Sequence, residues 1–230
     1  MKLFYGEITD NEVSIHEEEQ QHIAKVLRMK EGEEVFITNG KGDLAKGNLI
    51  FEGKKIRLST MEITRDLPKF PSYLHIAIAP TKNIDRIEFF VEKATEMGVS
   101  EISFLLTDKS ERRNINIDKI RKQAISASKQ SLRFHFPVIN DLVKLQDFAK
   151  SITPETTFVA HCDTAFERTD LKEISITEKL CFLVGPEGDF SPNEIQILAE
   201  KGIKAVSLGS QRLRTETAGV FLSALHYGKW

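Results

Sequence analysis

Lys179-Leu180-Cys181-Phe182-Leu183-Val184-Gly185-Pro186-Glu187-Gly188-Asp189-Phe190-Ser191-Pro192-Asn193-Glu194 reads as three elements in succession. The apolar run after Lys179 suits a strand covered on both faces. Two glycines around a proline then break it in a tight turn. Ser191 with Glu194 three residues on, and Pro192 at the first helical position, is a capping box that opens a helix over 192–201. Strand, turn and capped helix in so short a span are the unit from which α/β layers with mainly parallel sheets are built.

The same pattern extends on both sides. Downstream, a strand over Ala205–Gly209 and a polar loop over Ser210–Thr217 lead to a terminal helix ending near Tyr227. Upstream, Leu74–Ala79 is another continuous apolar run, and a helix over Ile84–Met97 sets Ile84, Ile87, Val91 and Ala94 on one face, with Gly98 as its stop. A strand over Glu101–Thr107, a helix over Asp118–Leu132, a short run at Pro137–Ile139, a helix over Leu142–Ser151 and a strand over Thr157–His161 follow. Leu67-Pro68-Lys69-Phe70-Pro71 is the natural boundary, since each proline disfavours helix before it and removes a ladder donor. This predicts two domains, 1–70 and 71–230. The first alternates strands (Phe4–Ile8, Glu34–Thr38, Leu44–Phe51, Lys55–Ile63) with turns, a glycine-bearing hairpin at Asn39–Asp43, and one helix over Glu17–Met29 that shares Ile23, Val26 and Leu27 on a face. Short strands around one small helix predict a compact barrel.

Composition narrows the function classes. With 230 residues, 40% hydrophobic and 29% charged, the chain is an ordinary globular one, neither disordered nor a coiled coil. Two cysteines, Cys162 and Cys181, make neither a disulfide framework nor a zinc site by themselves. No apolar run nears the ~20 residues of a spanning helix, and Glu7 comes too early for a signal-peptide core. A soluble, cytoplasmic protein that binds no membrane is expected. The net charge of −2 argues against a generally basic binder, yet Lys109–Arg133 holds eight basic residues against two acidic ones. Such a segment is either a solvated helix face or a local site for a polyanion.

Two loops leave strand ends with unusual chemistry, where ligands of open α/β sheets bind. Val184-Gly185-Pro186-Glu187-Gly188 is either a plain tight turn or a loop whose exposed backbone groups meet a ligand closely; it is neither a phosphate-binding Gly-Lys-Ser/Thr loop nor a three-glycine dinucleotide fingerprint. Leu208-Gly209-Ser210-Gln211-Arg212-Leu213-Arg214-Thr215-Glu216-Thr217-Ala218 is dense in polar groups. There Arg214 and Glu216 either pair at a capped helix start or converge as a site. His75, His135 and His161 have no metal-type partners at ligand spacing and are read as structural, so no metal site is expected. Phe89, Phe90, Phe104 and Phe182 are read as core.

Gly185-Pro186-Glu187-Gly188 with Phe190-Ser191, then Leu208-Gly209 and Leu213-Arg214-Thr215-Glu216-Thr217-Ala218, resembles the RsmE family, the 16S ribosomal RNA uracil-N3 methyltransferases of the SPOUT superfamily. Further matches are His22 with Val26-Leu27-Arg28, Lys82, Lys93-Ala94-Thr95-Glu96-Met97-Gly98-Val99, Ser110-Glu111-Arg112, and Gln130 with Arg133. The resemblance covers the whole chain in order, and the two C-terminal motifs together are highly specific. It implies a PUA-like β-barrel for RNA contact, then a SPOUT-type α/β domain whose last segment threads an earlier loop in a trefoil knot. It also implies a homodimer acting on 16S ribosomal RNA or the small ribosomal subunit.

In that family the two loops form the S-adenosylmethionine pocket. The resemblance therefore assigns cofactor contacts to Leu183, Val184, Gly185, Pro186, Glu187, Gly188, Leu208, Gly209, Leu213, Thr215 and Ala218, with Glu187 either on the ribose hydroxyls or at the capped helix start. Uracil N3 is a weak nucleophile until deprotonated, so a cation beside the base is needed; Arg214 is the candidate, with Glu216 orienting it. RNA contacts are expected from Arg112, Arg113, Lys122, Lys129 and Arg133, from Lys82, and from His22, Lys25 and Arg28 at three-residue spacing on the first-domain helix. Two departures stand out: Asp189 where glycine is common, and Gln211-Arg212 where an arginine precedes an aliphatic residue. The rival readings are a methyltransferase of the same fold with a transfer RNA or ribose 2′-hydroxyl target, and a non-catalytic RNA-binding assembly factor.

Overall fold

The computed structural model describes residues 1–10, 12–53, 55–175 and 177–229, and the chain packs as two compact units. One is Met1–Lys69 together with Ile125–Phe136; the other is Phe70–Ala124 with the chain from Pro137 onward.

The first unit is a five-stranded sheet in the order β2-β1-β3-β4-β5, from β1 (Leu3–Ile8), β2 (Val13–Ile15), β3 (Glu34–Thr38), β4 (Leu44–Glu52) and β5 (Lys55–Thr64). Only β1 and β3 run parallel. Alternate residues point inward, so Val35, Ile37, Ala45 and Leu49 are buried around Ile23 of the small helix. The barrel closes through side chains. The Gln20 amide donates to Ile15 O (2.7 Å) and accepts from Ile56 N–H (2.8 Å), bridging the edge strands β2 and β5. Arg65, just past β5, donates to Thr9 O (3.0 Å) beyond β1.

The segment Ile125–Phe136 completes this unit. Phe136 N–H donates to Gly40 O and Gly42 N–H to Phe134 O, both at 2.9 Å, so the segment pairs with the hairpin tip of β3 and β4. A ring nitrogen of His135 meets Leu67 O at 2.6 Å. Lys129 Nζ donates to the buried carboxylate of Glu19, a pair whose separation would strand a charge.

The second unit holds a seven-stranded sheet ordered β10-β12-β9-β11-β6-β7-β8, in which every neighbouring pair is parallel. Its strands are β6 (Tyr73–Ile78), β7 (Glu101–Leu106), β8 (Val138–Lys144), β9 (Thr157–Ala160), β10 (Thr169–Asp170), β11 (Lys179–Val184) and β12 (Lys204–Ser207). Helices α2 (Ile84–Glu96), α3 (Ile117–Gln130, whose residues from Ile125 on belong to the first unit), α4 (Leu145–Phe148), α5 (Pro192–Glu200) and α6 (Thr215–Tyr227) accompany them, α1 being Glu17–Gln21 of the first unit. Both sheet faces are apolar. Leu74, Ile76, Ile78, Phe182 and Val184 pack on one side with Phe90 and Leu222; Ala77, Cys181 and Leu183 pack on the other with Phe190, Ile195 and Leu198. Strands buried on both faces are why the sequence shows continuous apolar runs. Helix α6 lies close enough to α2 that a Cβ on Gly219 would stand 2.5 Å from the Phe90 ring.

Several expectations change, among them Phe89, read as core, which stands exposed on α2. Residues Val138–Lys144 form β8 on the sheet edge, so the predicted helix over Leu142–Ser151 shrinks to Leu145–Phe148; pairing with β7 outweighs local helix preference. The predicted helix over Glu17–Met29 widens into a π turn at His22–Val26, with Leu27 N–H reaching back to His22 O (2.9 Å). The added residue per turn swings Val26 and Leu27 out to solvent and leaves Ile23 alone facing the core. Arg28 follows in the left-handed region (φ 49°), so it does not extend the face of His22 and Lys25. Strands β2 and β10, three and two residues long, are too short for a periodicity to show.

Two outcomes follow from this packing. Alanine in place of a mid-helix glycine ordinarily stabilises by about 1 kcal/mol. Gly219→Ala reverses that sign, because the methyl overpacks a fully buried Phe90; chemical denaturation is expected to show a loss of about 1–3 kcal/mol. Burial also holds His75, His161 and His226 below the ordinary histidine pKa. The unfolded chain therefore takes up protons first on acidification, and stability that is full above about pH 7 declines as pH falls through about 6.5. His226 packs at Ser72 (Nε2 to Oγ 2.8 Å), and His226→Gln flattens part of that slope in a melting series from pH 8 to pH 5.

Candidate functional site

Three neighbouring strands, β12, β9 and β11, end at a common cavity of about 390 Å³. Its walls are the two loops marked out in the sequence, Val184–Glu187 and Leu208–Thr215, with Ala218 of α6 and a third stretch that includes His161, Cys162 and Arg168. Parallel strands deliver all their following loops to one edge, which is how segments far apart in the chain meet.

The loops are tied to each other. Thr215 Oγ1, buried at the start of α6, donates to Gly185 O (2.9 Å), and Arg212 Nη2 donates to Glu187 O (2.9 Å). The first loop needs its glycine, since a Cβ on Gly185 would lie 3.1 Å from the Phe190 ring. In the second, Gly209 has φ 131°, a conformation closed to other residues at low strain. Asp189 takes φ 63°, which aspartate tolerates better than most residues. Its carboxylate accepts the N–H of Cys162 (2.7 Å) and of Phe190 (2.8 Å), so this departure from the glycine common in the family ties the loop to the end of β9.

Most expected cofactor contacts are brought together. Val184, Gly185, Pro186, Glu187, Leu208, Gly209, Leu213, Thr215 and Ala218 all line the cavity. Leu183 does not: it points to the opposite sheet face and is fully buried with Phe190 and Leu198. Gly188 does not either, because it turns outward against Lys109. Glu187 does not serve the helix start. Ser191 and Glu194 make that capping box themselves, and Glu187 Oε1 accepts the N–H of Lys82 (3.0 Å).

Arg214 is exposed and lines the cavity, and its guanidinium has no hydrogen-bond or ion-pair partner among the described residues. Glu216 does not hold it. That carboxylate is buried outside the cavity, its Oε1 3.9 Å from Arg86 Nε and its Oε2 without a hydrogen-bond partner among the described residues.

The cations expected to meet RNA divide. His22, Lys25, Arg28 and Arg113 are exposed. Lys82 pairs with Glu111 at the surface (3.0 Å). Arg112 is committed inside the fold, donating to Thr81 O (3.0 Å) and Lys82 O (2.6 Å) and so bracing the loop after β6. Lys129 is likewise committed to Glu19, while Lys122 and Arg133 are engaged within the chain.

The third wall was missed in the sequence. His161, Cys162 and Arg168 follow β9, and the rule that pointed to the other two strand ends applies equally to this one. Arg168 Nη1 donates to His161 O (2.9 Å). His161 is 4% exposed, and neither of its ring nitrogens has a hydrogen-bond partner among the described residues.

Comparison with known proteins agrees with this geometry. Residues 68–227 match the RNA methyltransferase domain family and residues 15–57 the RNA methyltransferase PUA domain. The chain is 29% identical to ribosomal RNA small subunit methyltransferase E of Aquifex aeolicus, with 98% of each chain covered. It is also 29% identical to the Rickettsia conorii protein of that name, over 86% of this chain and 82% of the other. A probable rRNA-methyltransferase from Porphyromonas gingivalis superposes with a TM-score of 0.88 at 34% identity, covering 99% of this chain and 98% of that one. A ribosomal RNA small subunit methyltransferase E from Neisseria gonorrhoeae, bound to S-adenosyl methionine, superposes with a TM-score of 0.88 at 25% identity, covering 100% and 98%. With a domain match over most of its length and relatives aligned nearly end to end, the chain belongs to the RNA methyltransferase family of the ribosomal RNA small subunit methyltransferases E.

Proposed function

We propose that this chain transfers the methyl group of S-adenosylmethionine to N3 of a uridine in small-subunit ribosomal RNA. The observation that carries the reading is the Thr215–Gly185 hydrogen bond, which joins the two family loops around one cavity. The cavity suits that cofactor: its volume lies in the usual range for small-molecule sites, and Val184, Leu208, Leu213 and Ala218 supply apolar wall beside backbone groups. The cofactor, when bound, supplies an electrophilic methyl group on a sulfonium.

The chain's own residues do the rest. Gly185, Glu187 and Gly209 fix backbone around the cavity, so that the acceptor is held in line, and orientation of this kind lowers the barrier without new chemistry. Arg214, which lines the cavity, offers a preset positive charge to the uracil as N3 passes its proton to solvent water. The buried Glu216 carboxylate lies beside Arg86, 3.9 Å from its Nε, and is not read as a partner of Arg214. The exposed side chains of His22, Lys25, Arg28 and Arg113 are read as phosphate contacts, which add affinity and salt dependence but no sequence choice. A homodimer fits two features: Phe89 on α2 and Phe221 on α6 leave large apolar side chains in solvent, and the buried Glu216 Oε2 has no partner within the described chain.

The assignment of substrate is tested by incubating the purified protein with labelled S-adenosylmethionine and small ribosomal subunits from a strain lacking the gene, then analysing nucleosides by mass spectrometry. N3-methyluridine is the expected product; a ribose-methylated nucleoside or none would refute the reading. Arg214→Ala is expected to lower the methylation rate by about 10²–10³ while leaving cofactor affinity within a few-fold, as removal of one preorganised charge donor does. Thr215→Val strands the Gly185 carbonyl and is expected to destabilise by about 1–3 kcal/mol and to weaken S-adenosylmethionine binding in calorimetry.

A further inference from the structure

His161 is at odds with its surroundings. It sits in the wall of the cavity at the end of β9, yet both ring nitrogens are shut off from water and neither has a partner among the described residues. Buried polar groups are nearly always bonded, and an exception calls for a cause. Among the described residues its aromatic neighbour is Phe166, edge-on at 6.1 Å between ring centroids, a contact that uses neither ring nitrogen. The backbone there is anchored firmly: Arg168 holds the His161 carbonyl and Asp189 the following N–H of Cys162. The ring is thus an unsatisfied group on a fixed stem.

We infer that His161 is a ligand-binding side chain, whose imidazole turns from Phe166 into the cavity and takes its missing hydrogen bond from the nucleoside half of S-adenosylmethionine. The inference rests on the proposed cofactor. Burial pushes the His161 pKa down and Arg168 does the same, while Asp189 and Asp163 oppose them; the net effect leaves the ring neutral at pH 7. A neutral imidazole offers one donor and one acceptor, which matches hydroxyls and ring nitrogens of a nucleoside. The charged amino-acid end calls for charged partners instead.

A structural and a ligand-binding histidine respond oppositely to substitution. If His161 serves packing alone, His161→Phe leaves affinity unchanged. If it waits for a ligand, the same change removes an unsatisfied buried group, so the ligand-free protein melts at or above the wild-type temperature while binding weakens. Titration calorimetry at pH 7.5 with S-adenosylmethionine is expected to give a dissociation constant about tenfold higher for His161→Phe, the loss of one hydrogen bond. His161→Gln is expected to recover most of it. 5′-Methylthioadenosine, which lacks the amino-acid end, should lose affinity by the same factor. An unchanged constant for His161→Phe overturns the inference, as does a loss seen with S-adenosylmethionine but absent with 5′-methylthioadenosine. If that variant fails to fold, the wild-type ring nitrogens decide: a shift in their long-range proton–nitrogen spectrum on adding S-adenosylmethionine supports the inference, and none overturns it. A wild-type chain that binds no S-adenosylmethionine would instead refute the cofactor reading itself, visible in the first titration.

Discussion

The hydroxyl of Thr215 gives its hydrogen to the carbonyl of Gly185, inside the protein and away from water. Those residues stand thirty positions apart, and their bond fixes where α6 begins relative to the end of β11. Everything at the carboxyl edge of the sheet depends on that fixed point. It sets the depth of the cavity, it places Arg214 one residue ahead of the helix, and it lets Gly219 one turn later come down on Phe90. A buried bond of this kind is worth most through what its absence would strand, an unpaired carbonyl in a dry site.

The two ends of the seven-stranded sheet handle polarity in opposite ways. At the amino ends lies a second cavity, of about 460 Å³, whose inner polar groups are bonded to one another. Glu101 accepts from Tyr73 and from Asn140 (2.5 Å), and Ser103 accepts from Asn140 (2.8 Å) and meets a ring nitrogen of His75 (2.8 Å). That network is closed, and it rigidifies. At the carboxyl ends, the Arg214 guanidinium and the buried His161 ring have no hydrogen-bond partner among the described residues.

Much of this was legible in the residues. The apolar runs at Leu74–Ala79 and Lys179–Val184 gave buried parallel strands, because a strand covered on both faces has no polar side to show. Ser191, Pro192 and Glu194 located a helix start through local hydrogen bonds that depend on nothing distant. What stayed hidden was set by tertiary context. Val138–Lys144 is a strand because β7 offers it an edge, and the π turn at His22–Val26 is one inserted residue that no apolar spacing announces. In the site, the alternation of β11 turned Leu183 away while keeping Val184 in place. His161 looked passive because its significance lies in bonds it does not make, and a sequence lists residues, never their unmet partners. A count of charges in the stretch after Lys109 does not show that Arg112 and Lys129 bond carbonyl and carboxylate partners within the fold.

The hairpin of the barrel unit is completed by Ile125–Phe136, a segment encoded well inside the second unit. A ribosome making this chain releases the five barrel strands first, yet the piece that pairs with Gly40 and Gly42 emerges only after β6, α2 and β7 have been synthesised. Domains usually fold as they appear, N-terminal first. Here the leading one must wait, with its hairpin tip unpaired and the Glu19 carboxylate still without its lysine. Maturation of the two units is thereby coupled in time: neither can be cut out of the gene as a contiguous block, and a translational pause before residue 136 would leave the barrel unfinished.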